Sequence, residues 1–154
     1  MADAPKMDPI DSGRVAVVIF DLRARTVEPL GLFPSLARFS EMLEAEASAR
    51  GQRALGPVAV NGDGQGAVRL ADAAGEVVLE YHLVANDGSR HGRDGGVAVF
   101  EYSLDEDVVV ACGVYPSEAY LRKTDEVMRR HIKGWEDNRP RRLFIPFSGA
   151  VRDR

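Results

Sequence analysis

Cysteine is almost missing from this chain: Cys112 is the single one in 154 residues. That excludes a disulfide framework and points to a reducing compartment, so we expect a cytoplasmic protein. Histidine is also scarce, with only His82, His91 and His131. Three scattered histidines and one thiol offer no zinc-ligand spacing. No run approaches the roughly 20 apolar residues of a membrane helix, which argues against a membrane role. The first residues lack a charged segment followed by an apolar one, so no signal peptide is expected. There is no internal repeat and no linker that would split the chain. The glycines at 62, 64 and 66 miss the G-x-G-x-x-G spacing and open no helix, which argues against a dinucleotide site. Ser35, Ser117 and Ser148 lack a nucleophile-elbow context.

What is present is the ordinary profile of a soluble globular protein, 45% hydrophobic and 29% charged. A chain of this length can bury about two thirds of its unfolded surface, so it needs no staples. The net charge is −4 but unevenly spread: residues 1–121 carry 10 basic and 19 acidic side chains, and residues 122–154 carry 10 and 5. Asp125, Glu126, Glu136 and Asp137 interrupt the basic tail. We therefore read a solvated basic helix face and expect no nucleic acid partner.

Taken in order, residues 1–13 read as a flexible arm and residues 14–154 as one domain. Residues 14–20 are nearly continuous apolar and β-branched, which suits a strand covered on both faces. Residues 28–34 contain Pro29, Gly31 and Pro34 and read as a turn-rich connection. A helix is predicted over 34–50, with Leu36, Phe39, Leu43 and Ala47 on one stripe and Gly51 as its left-handed terminator. Residues 58–60 and 67–70 read as a hairpin around a glycine-rich loop.

In residues 76–85 alternation puts Val77, Leu79, Tyr81 and Leu83 on one face, and Val78, Glu80, His82 and Val84 on the other. Residues 97–104 and 108–115 read as an antiparallel pair. A second helix is predicted over 117–135 with Leu121, Thr124 and Met128 inward, and 143–147 as an edge strand. The fold class is α+β: a mainly antiparallel sheet of five to six strands with two amphipathic helices packed on one face.

Two carboxylates attract attention. Asp21 ends an apolar strand, and Asp63 sits between two glycines. A pair at neighbouring strand ends could hold Mg²⁺ or Mn²⁺ with nucleotide phosphate. Phe20-Asp21-Leu22-Arg23 and Gly62-Asp63-Gly64 resemble the two metal motifs of class III nucleotide cyclases, over about residues 14–70. The resemblance implies a metal-dependent enzyme using Asp21 and Asp63. The family's Gly-Phe pair is Ala24-Arg25 here, and no N-x-x-x-R helix follows. Separately, Gly113-Val114-Tyr115-Pro116, a helix, Gly134 and residues 143–147 resemble the tail of SecB-type export chaperones, which implies binding of unfolded chains. The loop Arg90-His91-Gly92-Arg93 could take an anion.

The leading expectation is a non-catalytic binding module, needing no cofactor, for a protein segment or a small apolar ligand. The ligand-binding residues expected are Tyr81, Tyr102, Met128, Ile132 and Trp135, enclosing a groove between sheet and second helix. The tyrosines also suit an interface, which leaves room for a homo-oligomer.

Overall fold

A computed structural model describes residues 13–86, 95–103, 108–133 and 141–152. The strands are β1 (Arg14–Asp21), β2 (Thr26–Phe33), β3 (Arg53–Ala54), β4 (Gln65–Ala71), β5 (Val77–Asn86), β6 (Val97–Ser103), β7 (Val108–Tyr115) and β8 (Arg141–Pro146). The helices are α1 (Leu36–Ala49) and α2 (Glu118–His131). The protein is α+β, and every strand ladder is antiparallel.

The strands divide between two sheets, one of five in the order β2-β1-β5-β4-β3 and one of three in the order β7-β6-β8. They do not form the one sheet of five to six expected, and the helices do not share a face. The reason lies in β1. Val15 and Val17 point to one side and Ala16 and Val18 to the other, and all four are fully buried. The first pair packs with Phe33, Leu36, Phe39, Leu43, Tyr81 and Leu83 between the larger sheet and α1. The second pair packs with Leu32, Val84, Ala98, Phe100, Ile145 and Phe147 between the two sheets. A third, smaller cluster of Val97, Val99, Leu121 and Phe144 joins the second sheet to α2. The layers therefore run helix, sheet, sheet, helix.

α1 forms as its stripe predicts: Leu36, Phe39, Leu43 and Ala47 are its buried residues. Ser35, rather than Pro34, starts it, accepting the Arg38 backbone N–H on its hydroxyl at 3.2 Å. Gly51, at φ 69°, ends it. Phe39 packs edge-on against Phe33, ring centres 5.2 Å apart, and tilts over Tyr81 at 5.7 Å.

Residues 26–33 form a strand where a connection was expected. β2 is an edge strand, which tolerates Pro29. Its register with β1 slips by one: Val17 faces Gly31 while Val18 faces Pro29, leaving Leu30 as the extra residue. The expected hairpin is half right. β4 is present, but on the side away from β5 its partner is the two-residue β3, and residues 58–60 form no strand. Residues 72–75 form a turn, with Asp72 Oδ1 accepting the Ala74 and Glu76 N–H groups at 3.0 and 2.9 Å.

Two arginines tie chain ends to the sandwich. Arg14 donates to the Phe147 carbonyl at 2.7 Å, and Arg152 donates to the Leu30 carbonyl at 2.7 Å. The expected arm lies outside the described residues except for Gly13, which is buried. Residues 90–93, expected as a loop, and residues 104–107 also lie outside them.

The 61–64 turn is stapled to β5, because the Gly64 carbonyl accepts the Ala85 N–H at 2.7 Å. Gly64 has φ 78°, and a Cβ there would stand 2.7 Å from the Ala85 carbonyl oxygen, whereas a Cβ at Gly62 meets nothing within 4 Å. Gly64→Ala should therefore cost about 2 kcal/mol or more in urea denaturation, and Gly62→Ala no more than about 0.5 kcal/mol.

Candidate functional site

The structure separates the two aspartates. Asp21 stands opposite Leu79 on β5, while the Asp63 turn is fastened at Ala85, six positions further along the same strand. That is roughly 20 Å at the usual strand rise, far beyond a shared ion. Each has a local role in a turn instead. Asp21 Oδ1 accepts the Arg23 and Ala24 N–H groups at 3.0 Å each, and the Asp63 N–H donates to Asn61 Oδ1 at 2.8 Å. Among the described residues no three His, Cys, Asp or Glu side chains gather where a metal could sit.

The expected groove residues do not converge either. Tyr81 is fully buried beneath α1, in the layer furthest from α2. Among the described residues its hydroxyl makes no hydrogen bond of good geometry, although the Arg50 guanidinium lies close to it. Burial pushes its pKa up, partly opposed by the nearby Arg50 guanidinium. Tyr102 is half-buried, and alternation along β6 puts it on the side of Ala98 and Phe100, turned away from α2. Met128 is half-buried and Ile132 is exposed, both at α2. Trp135 lies outside the described residues.

His82 is half-buried and hydrogen-bonded, its Nε2 lying 2.9 Å from Glu80 Oε1. Arg69 holds the other Glu80 oxygen at 3.0 Å. Cys112 is half-buried, and burial pushes its thiol pKa up, away from the reactive thiolate.

The surface that stands out is α2 itself. Ser117 caps it, accepting the Tyr120 N–H at 3.1 Å. Leu121 is its buried residue. One turn on, Asp125 grips Arg142 of β8 with both oxygens, at 2.6 and 3.2 Å. Arg142 also donates to Glu101 of β6 at 2.8 Å. Burial opposes the Arg142 charge, but the two carboxylates outweigh it and raise its pKa. Leu121 and this clasp fix which side of α2 faces inward.

The outward side is basic, but two large apolar residues stand exposed within it. Tyr120 and Val127 are 52% and 51% exposed, and Ile132 just past the helix is 44% exposed. Tyr120 and Val127 are seven residues apart and so lie one above the other on one flank. Lys123 and Arg130 run beside them, both exposed. Expecting a basic helix face was right. The apolar stripe within that face was missed, although its seven-residue spacing was readable.

No protein-family model, curated protein or solved structure matches the chain. The cyclase and chaperone resemblances thus rest on their short motifs alone. Among the described residues no helix is long and apolar enough to cross a membrane.

Two substitutions test these assignments. Arg142→Met removes the cation that Asp125 and Glu101 share. It should cost about 2–4 kcal/mol, with α2 amides losing hydrogen-exchange protection before those of β1 and β5. A change under about 0.5 kcal/mol would show that Leu121 alone seats the helix. Tyr81→Phe removes a buried hydroxyl that makes no hydrogen bond of good geometry, so stability should stay level or rise by up to about 1 kcal/mol in thermal unfolding.

Proposed function

We propose that this chain is a non-catalytic binding module, and that the outer flank of α2 is where it receives an acidic, amphipathic protein segment. The reading rests chiefly on one observation: Tyr120 and Val127, each about half exposed, form an apolar stripe beside Lys123 and Arg130. Aromatic and aliphatic anchors rimmed by charge are the usual anatomy of a recognition surface. The sign of the rim selects the partner. Lys123, Arg129, Arg130 and Lys133 outnumber the exposed Glu126 in this region, while Asp125 is spent on Arg142, and Glu118 and Arg122 are paired with each other at 3.2 Å. An acidic segment laid along the stripe would bury the apolar pair and meet the cations at its edge. A cytoplasmic setting accords with the lone Cys112.

A labelled synthetic peptide as long as α2 tests this, with leucines on one face and glutamates elsewhere. Its lysine counterpart is the control. By fluorescence anisotropy the acidic peptide should bind, and binding should weaken as salt rises. Tyr120→Ser with Val127→Ser should weaken it about tenfold or more while thermal unfolding stays unchanged. Equal binding of the lysine peptide, or an unaffected double variant, would reject the proposal. Concentration-dependent light scattering that disappears in the double variant would make a second copy of this chain the occupant.

A further inference from the structure

A pocket of about 500 Å³ opens on the opposite outer face of the molecule, beyond the end of α1. It exists because the larger sheet is longer than the helix that covers it. α1 has 14 residues and β5 has 10. These correspond to about 21 and 33 Å. The strand ends left over form a floor of Ile19, Leu30, Val78 and Leu79.

The polar groups around that floor are not balanced in sign. Two cations line the pocket, Arg23 and Arg50. Each already has a carboxylate: Arg23 meets Asp72 at 2.6 Å, and Arg50 meets Glu46 at 3.2 Å. Two further carboxylates line the pocket, Asp21 and Glu28. Asp21 uses one oxygen for two backbone N–H groups, leaving the other available. The third polar contribution is Gln52, whose Oε1 is buried and has no hydrogen-bond partner among the described residues. A buried acceptor left unpaired is costly unless something donates to it. The C-terminal end of α1 adds negative potential from the same direction.

We infer that this pocket binds a small organic cation, an alkylammonium group carried on an apolar body. The body would cover Ile19 and Leu79. The ammonium would donate to Gln52 Oε1 and lie between Asp21 and Glu28. Both a free amine and a lysine side chain of a peptide carry this group. The site is separate from the α2 flank and does not depend on what that flank binds.

The test uses the full chain, ¹⁵N-labelled, titrated with phenethylammonium. Isosteric 2-phenylethanol and 3-phenylpropionate serve as neutral and anionic controls, and Nα-acetyl-lysine methylamide as the side-chain arm. Phenethylammonium should shift the amides of Ile19, Asp21, Gln52 and Leu79, and bind about tenfold more tightly than the alcohol. Asp21→Asn with Glu28→Gln should weaken it about threefold to tenfold. The asparagine keeps an acceptor for the Arg23 and Ala24 N–H groups, so the turn survives. Tighter binding of the lysine derivative than of phenethylammonium would assign the site to a protein side chain, and the reverse to a free amine. Binding of the alcohol or the carboxylate as tight as that of the ammonium would overturn the inference. So would shifts outside the pocket, or a double variant that binds unchanged. The same double variant should leave acidic-peptide binding at α2 intact, which separates the two readings.

Discussion

Val15 and Val17 on one side of β1, and Ala16 and Val18 on the other, are all fully buried, and helices on a single face of a single sheet cannot cover both sets. The same two-sidedness recurs in β5, where Tyr81 and Leu83 face α1 and Val84 faces the second sheet. Held apart, the two sheets would expose Val18 and Val84 on the larger one and Phe100, Ile145 and Phe147 on or beside the smaller one. At roughly 2 kcal/mol each, this approaches the whole net stability of a typical domain, about 5–15 kcal/mol. The three-stranded sheet is therefore the necessary cover for the five-stranded one, and α2 in turn covers the three-stranded sheet.

Cover thins toward α2. Among the described residues, the core between the sheets holds eight buried residues and the cluster under α2 holds three. The clasp of Arg142 with Asp125 and Glu101 makes up part of the difference, with bonds that have direction as well as strength. The helix is thereby oriented more than it is buried, and an oriented, shallowly seated helix keeps an apolar flank available. At the opposite end of the layering, α1 is deeply seated but shorter than its sheet. The two candidate sites thus come from two different mismatches, one of depth and one of length.

Much of this was legible in the residues. The helices, the central strands, the alternation of residues 79–84 and the edge position of residues 143–147 follow from periodicity and proline placement; Val78, expected opposite Leu79, is buried in the same cluster as Leu79. The double-faced burial of β1 was legible as well, yet its consequence, a second sheet, was not drawn. β2 was hidden because Pro29 and Gly31 signal a turn locally, while pairing with β1 and a one-residue bulge override that signal. The groove residues were misassigned for a related reason. Alternation reports which side of a strand a residue occupies, but not which layer covers that side, so Tyr81 and Met128 looked like neighbours. Asp21 and Asp63 illustrate the same limit: both sit at strand ends, and only the register along β5 reveals that the ends are opposite ones.

The margins of the two sheets are closed unevenly. β2 carries a bulge and a proline, and Arg152 takes up its Leu32 carbonyl at 2.7 Å. Beside β4, residues 53–61 donate from Leu55 to the Arg69 carbonyl and from Asn61 to the Gln65 carbonyl, at 2.9 and 2.8 Å. β8 ends at Pro146. β7 is the remaining margin, eight residues with three consecutive valines at its start. Strand-by-strand growth into cross-β assemblies needs an unblocked margin of that kind. Among the described residues, β7 is therefore the margin most open to intermolecular stacking under crowding or partial unfolding.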